Sequence, residues 1–431
     1  MNRLIIFICL TCLTQELAAQ QLRLDTAIAV ALRNSPGLQI ARNNLNIAEI
    51  SNDFGMAGGL PLVQVNSQMT QQMTSLEQKY SNPLNNKNST NAPSTVISAG
   101  LAASVPVYEG GRVANEKKRL EVAESQSRFQ YSSRAQTLIY NVMLKYYDIV
   151  RQQGYAKTLE ASISASRQKL GIVKQQQAVG VANDADLFQS QVYLNTQIQS
   201  LQAQQLVIDQ GKTDLLGLLI LNPDSVIVIQ DTILVDKNIQ LDSILNAAYQ
   251  NPDLQAAYEQ IRINEYLEKE VGSYRYPSAS VGLGYNFSHT SNPQGFNILN
   301  QAYGPYVGLA LTIPIFNGGI YKKQQQIAGI NLNTSKLQKD TLLLNVHTTT
   351  IKNWQAYQNN LKQLETARQN FDLSGKLLSL VLQRFQYKVA TIVELTLAEQ
   401  SFESAGFQLV NVSYAAKAAE IQMRRLAARL P

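Results

Sequence analysis

A nine-residue sequence motif occurs twice in this chain, and this repetition constrains the fold more than any other feature. VPVYEGGRV runs from Val105 to Val113, and IPIFNGGIY runs from Ile313 to Tyr321, 208 positions later. Both copies read aliphatic, proline, aliphatic, aromatic, polar, glycine, glycine. A chain that contains the same short motif twice is expected to fold as two similar halves.

Two further pairs of segments support an internal duplication. LDTAIAVALRNSPGLQIA (Leu24 to Ala41) resembles LDSILNAAYQNPDLQAA (Leu241 to Ala257), at an offset of 216–217 positions. A third pair, VGVANDADLFQSQ and YKVATIVELTLAEQ, aligns at the offset of 208. Three landmarks in the same order predict a first repeat over residues 20–230 and a second over residues 231–431.

Each repeat contains segments in which apolar residues alternate with small or polar ones. In SVGLGYNF, for example, Val281, Leu283 and Tyr285 alternate with glycine and asparagine. A period of two indicates β-strands, and apolar-out, polar-in alternation is typical of strands that span a membrane. A soluble β-sandwich is the alternative. The predicted strands cover residues 61–75, 94–107, 277–290 and 303–315, and the Asn-rich stretch NPLNNKNSTNAPS is expected to be an exposed loop.

Two long helical hairpins follow the two glycine pairs. After each pair, more than 60 residues contain no proline, which at about 1.5 Å per residue allows a helix of roughly 100 Å. The predicted hairpins cover residues 111–221 and 319–430. Gly180 suits the left-handed position that ends a helix, and Asn183 or Asp184 suits the next N-cap. Their Ala, Gln, Asn and Ser residues favour coiled-coil contacts on one side and water on the other.

The repeated motif is interpreted as a joint between a strand and a long helix. Proline ends the strand because it has no backbone N–H to donate, the aromatic residue suits a membrane–water boundary, and the glycines permit a sharp bend. The joint residues are Pro106, Tyr108, Gly110 and Gly111 in the first repeat and Pro314, Phe316, Gly318 and Gly319 in the second.

The N-terminus reads as a secretory signal peptide over residues 1–19. Arg3 precedes the ten-residue apolar run LIIFICLTCL, and cleavage is placed after Ala19. A buried N-terminal helix is the alternative. Both cysteines, Cys9 and Cys12, lie inside this segment, so the mature chain is expected to carry no disulfide or thiol site. Acylation of Cys12 is disfavoured because no small residues directly precede it.

Composition and motifs argue against several classes of function. The net charge is +6 and only 16% of residues are charged, with no basic block of the kind that binds nucleic acid. No P-loop, Ser/His/Asp set or paired-carboxylate motif is recognisable. The two histidines, His289 and His347, lie in different elements. We therefore expect no enzymatic activity, no cofactor, no metal site and no nucleic-acid partner.

The order of these elements resembles the TolC-like outer-membrane efflux channels over essentially the whole mature chain. The residues that carry the resemblance are LDTAIAVALRNSPGLQIA, VPVYEGGR, VGVANDADL, LLGLL and the copies in the second half. It implies an α+β membrane protein in which three protomers of four strands form a 12-stranded β-barrel, continued into the periplasm by an α-helical barrel. DSVIVIQDTILV, between the halves, looks like the β-rich equatorial piece of that family.

The resemblance also implies a function and partners. The chain would be the passive exit channel, in the outer membrane, of a tripartite efflux pump or a type I secretion system. Its partners would be two further copies, a periplasmic adaptor, an inner-membrane pump and outer-membrane lipid. Oligomerisation follows independently, because four strands cannot close a barrel. The alternative function is a secreted or surface-attached coiled-coil adhesin.

Particular residues acquire expected roles from this resemblance. The adaptor-contact tips would be Val179, Gly180, Val181, Lys388, Val389 and Ala390. Asp186 and Glu394 hold equivalent positions in the two repeats and would form an acidic constriction at the periplasmic gate. The alternative is that each carboxylate only stabilises the first turn of its helix. Leu397, Ala390 and Phe385 stand where the family has a further aspartate, a gate arginine and a gate tyrosine.

Overall fold

The computed structural model describes residues 20–293 and 298–431, so the predicted signal peptide with Cys9 and Cys12 lies outside the described residues. Helices and strands occur in the same order in both halves of the chain. The elements are β1 (Gln20–Gln21), α1 (Leu24–Asn34), α2 (Pro36–Ser51), β2 (Leu62–Gln78), β3 (Lys87–Glu109), α3 (Arg112–Ala178), α4 (Asp184–Leu218), β4 (Ile227–Val228), α5 (Leu241–Ala248), α6 (Pro252–Ser273), β5 (Ser278–Ser291), β6 (Leu299–Thr312), α7 (Ile320–Gln386) and α8 (Ile392–Leu426).

The described chain divides into two compact units, and each takes segments from both halves of the sequence. Unit one comprises residues 20–43, 129–255 and 341–431, and unit two comprises residues 44–128 and 256–340. Unit one contains the α3–α4 and α7–α8 turns. Unit two contains a four-stranded sheet and the residues that connect its strands to helices. Spatial units and sequence repeats are therefore different divisions of the same chain.

The sheet of unit two is antiparallel throughout, in the order β2-β3-β5-β6. Residues that are paired across neighbouring strands form a row, and their side chains lie on one face of the sheet. The side chains of the next row lie on the opposite face. One row contains Val63, Ala103, Leu283 and Val307, and the adjacent row contains Gln64, Ala102, Gly284 and Tyr306. One face of the sheet is consequently apolar, whereas the other carries mostly small and polar side chains.

Two of the predicted strand ranges are wrong, at one limit in β3 and at both limits in β6. β3 begins at Lys87, where residue 94 was predicted, because the Asn-rich stretch pairs with the far end of β2 through Gln78 opposite Lys87. β6 spans Leu299–Thr312, where residues 303–315 were predicted. It ends directly before the Ile313-Pro314 pair, where the missing N–H of proline stops the ladder.

The first proline of the repeated motif does not end its strand, which corrects the sequence interpretation. β3 continues through Pro106 to Glu109, and Pro106 pairs with Ser280 of β5. The pairing of β3 with β2 has already ended at Ser104, so Pro106 is paired with β5 only. Its missing backbone N–H therefore costs no hydrogen bond on the side of β2. A register shift after Pro106 brings Tyr108 opposite Ala279.

The long helices have matching lengths in the two halves. α3 and α7 each contain 67 residues, and α4 and α8 each contain 35. At about 1.5 Å per residue the longer pair extends roughly 100 Å. In the part of the chain that the structure describes, no helix combines the length and the apolar character needed to cross a membrane.

The main core of unit one surrounds the middle of α3 and the C-terminal end of α4. Tyr146, Leu215 and Leu216 are almost fully buried there, and the hydroxyl of Tyr146 donates to the carbonyl oxygen of Leu22 at 3.2 Å. The predicted β-rich piece between the halves is much shorter than expected: β4 contains only Ile227–Val228, paired in parallel with β1. A two-residue ladder suffices because residues on both sides of it pack into the helical core.

Candidate functional site

The first hairpin turn, between α3 and α4, ends one helix and starts the next with backbone hydrogen bonds. Val181 N donates to Gln176 O at 2.8 Å and Gly180 N donates to Gln177 O at 2.9 Å. This is the pattern of a Schellman C-cap, which requires a left-handed residue at the position of Gly180. Gly180 has φ +74°, the conformation expected from the sequence.

The second turn, between α7 and α8, has the same geometry without the glycine. Val389 N donates to Arg384 O at 2.8 Å, and Lys388 N donates to Phe385 O at 3.1 Å. Lys388 holds the left-handed position with φ +63°. A side chain with a Cβ is strained by roughly 1–2 kcal/mol in this conformation. The second turn therefore preserves the shape of the first at an energetic cost.

Each turn leads into a capping box. The side chain of Asn183 accepts from Asp186 N at 2.8 Å, and Thr391 Oγ1 accepts from Glu394 N at 3.2 Å. The carboxylates reach back, since Asp186 accepts from Asn183 N at 3.4 Å and Glu394 accepts from Thr391 N at 2.7 Å. Hydrogen bonding from Thr391 lowers the pKa of Glu394 below its ordinary value. Both predicted gate residues thus cap helices in equivalent positions.

The two turns lie against each other within unit one. They line a cavity of about 180 Å³ whose walls include Val181 and Asp186 from the first turn and Lys388 and Ala390 from the second. Next to it, Val173, Leu395 and Phe385 are buried in one apolar cluster. Phe385 is therefore a core residue. The structure brings the first and second sets of predicted tip residues together.

The outer surface of the turns carries several exposed apolar side chains. Val179 is 70% exposed and Val389 is 64% exposed, although valine side chains are usually buried in water-soluble regions. Further exposed apolar residues nearby are Val181, Tyr387 and Val393. Predicted tip residues are therefore divided between the small cavity and an exposed apolar surface.

A buried ion pair behind the turns was not predicted from the sequence. Lys169 of α3 contacts Glu399 of α8, and their side chains are 1% and 0% exposed. Ser166 donates to Glu399 at 3.0 Å, Lys169 donates to Thr396 at 3.3 Å, and the Lys169 ammonium lies 4.1 Å from the ring centroid of Tyr193. Burial raises the pKa of Glu399 and lowers the pKa of Lys169.

This group, Ser166, Lys169, Tyr193, Thr396 and Glu399, is called the buried polar cluster below. Its residues come from three helices, α3, α4 and α8. A lysine inside RQKLGIVK and a glutamate inside TLAEQSF look like ordinary solvated charges on long helices. Arg167 and Lys174 flank Lys169, so the local sequence offered no signal that this lysine is buried.

The glycine pairs of the repeated motif all adopt left-handed conformations. Their φ angles are +62° and +86° at Gly110 and Gly111 and +68° and +77° at Gly318 and Gly319. A Cβ on Gly110 would also lie 2.6 Å from the carbonyl oxygen of Ser273. The aromatic members of the motif, Tyr108 and Phe316, are 52% and 86% exposed. The motif thus provides a sharp bend between a strand and a long helix, next to an exposed aromatic ring.

Among residues 20–293 and 298–431, no group of histidine, cysteine, aspartate and glutamate residues has a geometry that could hold a metal ion. The carboxylates of the two turns are occupied as helix caps. The geometry of the turns fits an interaction surface on a pair of helical hairpins.

Comparison with known proteins decides the family. The model of the outer membrane efflux protein family matches residues 27–218 and 244–429, which is most of the chain and both of its halves. The chain belongs to the outer membrane efflux protein family. A search of curated proteins finds no match.

Solved structures of outer-membrane channels share the fold of this efflux protein. The outer membrane protein VceC from Vibrio cholerae is 15% identical, with a TM-score of 0.76 over 94% of this chain and 96% of that one. The Campylobacter jejuni CmeC outer membrane channel is 16% identical, with a TM-score of 0.77 over 94% and 85%. The open state of the Neisseria gonorrhoeae MtrE outer membrane channel is 18% identical, with a TM-score of 0.70 over 94% and 89%.

Several predictions from the sequence are confirmed by these likenesses. The resemblance to outer-membrane efflux channels is correct, as is the fold class built on duplicated halves with two strands and a long helical hairpin each. The protein is an outer-membrane efflux protein, as the family match shows. The alternative of a coiled-coil adhesin is excluded by the family match.

Proposed function

We propose that three copies of this efflux protein form a passive exit duct that is completed, on the periplasmic side, by an adaptor and an inner-membrane pump. The observation that carries this proposal is the sheet, which has four strands, one apolar face and two unpaired edges. An unpaired strand edge is not tolerated in a membrane, because its N–H and C=O groups find no water there. Copies of the same chain supply the missing partners.

The antiparallel order of the sheet fits closure between identical chains. β2 and β6 are the edge strands and run in opposite directions, since each of the three pairings between them reverses direction. β6 of one copy can therefore pair in antiparallel fashion with β2 of the next. Three copies give the 12 strands of the channel proposed from the family resemblance.

Cysteine cross-linking tests this closure directly. With the predicted signal peptide removed, the mature chain contains no cysteine. Any disulfide that forms therefore joins two introduced cysteines. Gln68→Cys on β2 is combined with single cysteines at successive positions of β6, residues 300–308. We expect covalent trimers at one position of β6, or at two positions separated by one residue, because adjacent side chains point to opposite faces of the sheet, and none at the other positions. Monomers at every position, or a detergent-free monomer with an intact β signal, would refute the assembly.

The hairpin turns are proposed to dock the adaptor through Val179, Gly180 and Val181 together with Lys388, Val389 and Ala390. Support comes from the exposed valines on both turns, which lie side by side in unit one. Clustered exposed apolar groups are typical of a partner surface. The channel itself provides no catalytic groups in this proposal; energy comes from the pump.

Charge placed on this surface tests docking without disturbing the left-handed residues. Val179→Asp with Val389→Asp should abolish efflux in complemented cells and abolish photo-cross-linking of the adaptor from a probe at residue 181. Val192→Asp, equally exposed on α4, is the matched control and should retain efflux. Trimer content is measured for every variant. Normal efflux with both tip valines replaced would remove these residues from the docking surface.

Asp186 and Glu394 are proposed to narrow the duct at its periplasmic end as a ring of six carboxylates in the trimer. Their equivalent capping positions support a symmetric arrangement, and rings of carboxylates attract cations in pores. Asp186→Asn with Glu394→Gln keeps an oxygen acceptor for each cap while removing both charges. In single-channel recording, block by a multivalent cation added on the periplasmic side should weaken in this variant. Equal block in parent and variant would leave the two residues with a capping role alone.

A further inference from the structure

A solvent-open cavity of about 430 Å³ lies beside the first strand-to-helix joint, within unit two. Gly110 of the joint forms part of its wall, together with residues at the end of α6 and one residue of α7. Side chains that line it and can donate hydrogen bonds are Asn115, Lys269, Arg275, Tyr276 and Gln325. The space is more than ten times the volume that one water molecule occupies in the liquid, about 30 Å³.

The lining of this cavity is positively charged. Lys269 and Arg275 contribute two cations, and the lining residues in the described chain include no carboxylate. Two carboxylates in the adjacent sequence are paired with other cations: Glu109 with Arg112, and Glu270 with Arg119 at 2.7 Å. The field inside the cavity therefore favours an anion.

The donors of the cavity are arranged for an oxygen-rich ligand. Arg275 uses one N–H to donate to Gln325 Oε1 at 3.1 Å, which holds the guanidinium at the cavity and leaves its other N–H groups available. An arginine can bind two oxygens of a phosphate at once, and a lysine adds a point charge. Gly110 allows the joint to approach the end of α6 closely, because a side chain there would collide with the backbone of Ser273.

The position of the cavity suggests where such an anion comes from. It lies where β3 and β5 meet the helices, next to Tyr276 and to Tyr274, whose ring stacks on Tyr321. Tyrosine rings are enriched at the boundary between lipid and water, where phospholipid headgroups lie. Free phosphate in the periplasm is the other source of the same chemistry.

We propose that this cavity binds a phosphate-bearing anion, with Lys269 and Arg275 as the charged contacts and the side-chain amides of Asn115 and Gln325 as orienting groups. The proposal concerns the joint in unit two and does not depend on adaptor docking at the turns. Bound there, an anionic phospholipid headgroup would anchor the joint to the inner surface of the outer membrane.

The test uses the detergent-purified protein and its thermal unfolding midpoint. The probes are phosphatidylglycerol in the micelles, diacylglycerol as the lipid that lacks phosphate, and inorganic phosphate without added lipid. We expect phosphatidylglycerol to raise the midpoint saturably and diacylglycerol to have no effect. A headgroup site responds to phosphatidylglycerol alone, whereas a site for free phosphate responds to inorganic phosphate as well.

Two double variants separate specific binding from general attraction to a negative surface. Lys269→Gln with Arg275→Gln should raise the half-saturating phosphatidylglycerol concentration at least about tenfold, because two charge-assisted hydrogen bonds are lost. Lys322→Gln with Lys323→Gln removes the same charge from exposed positions outside the cavity and should change it less than about twofold. Arg275→Gln alone is measured too, so that the proposal can still be tested if the double variant assembles poorly. Equal affinity in parent and cavity variants, or equal stabilisation by diacylglycerol, overturns the proposal.

Discussion

Replacing Glu399 by glutamine should strongly destabilise unit one, because it removes the charge partner of a lysine that has no access to water. Lys169 and Glu399 are 1% and 0% exposed. Breaking a buried ion pair from one side typically costs about 3–5 kcal/mol, since the remaining charge stays desolvated. Glutamine retains the acceptor for Ser166, and Lys169 keeps its contacts with Thr396 and the Tyr193 ring. The lower end of the range, about 3 kcal/mol, is therefore expected.

This loss should be visible as a fall of about 6–12 °C in the thermal midpoint, followed by helical circular dichroism of the purified protein. The matched control is Asp214→Asn. Lys145 and Asp214 also join neighbouring long helices at 2.7 Å, but their side chains are 31% and 64% exposed. An exposed pair contributes about 0–1 kcal/mol, so the control should shift the midpoint by no more than about 4 °C.

A second variant distinguishes charge from packing. Lys169→Met with Glu399→Leu removes both charges and keeps similar volumes, and such replacements are often neutral or stabilising. We expect this double variant to recover most of the stability lost in Glu399→Gln. The reasoning fails if Glu399→Gln unfolds within about 1 °C of the parent. It also fails if the double variant is as unstable as the single one, since that result would assign the effect to shape.

Three further outcomes follow from the left-handed residues and the helix caps. Lys388→Gly should stabilise the protein by roughly 0.5–1 kcal/mol in denaturant titration, because glycine adopts the observed φ of +63° without strain; a loss of stability would contradict this. Gly110→Ala should cost at least about 2 kcal/mol because it adds a 2.6 Å contact and a strained φ, whereas Gly282→Ala, with open space around it, should change stability by less than about 1 kcal/mol. The pKa of Glu394 is lower in the folded protein, so its contribution is present above the ordinary value of 4.5 and is lost as pH falls through the folded value. Stability measured from pH 6 to 3 should therefore fall more steeply in the parent than in Glu394→Gln, and identical slopes would exclude a contribution from this cap.

The sequence by itself determined the features that rest on local chemistry and on repetition. Period-two and helical stretches each have a distinct residue spacing, so their order and their duplication are readable without a structure. Gly180 and the glycine pairs were identifiable for the same reason, since left-handed backbone selects glycine. The sequence predicted an N-cap at Asn183 or Asp184, because such side chains satisfy a nearby backbone N–H, and the structure shows that it is Asn183. The family resemblance extended these local features to a channel.

Only the tertiary structure decided the features that depend on neighbours distant in sequence. Pro106 remains within β3 because β2 has already ended beside it, a fact about pairing that the proline itself does not encode. Lys169 and Glu399 lie 230 positions apart and become a buried pair only where α3 packs against α8. The cavity of Lys269 and Arg275 likewise forms because Gln325 and Gly110 approach them from other elements. Burial and cavity charge are properties of these approaches, since a charged residue is exposed or desolvated according to what packs over it.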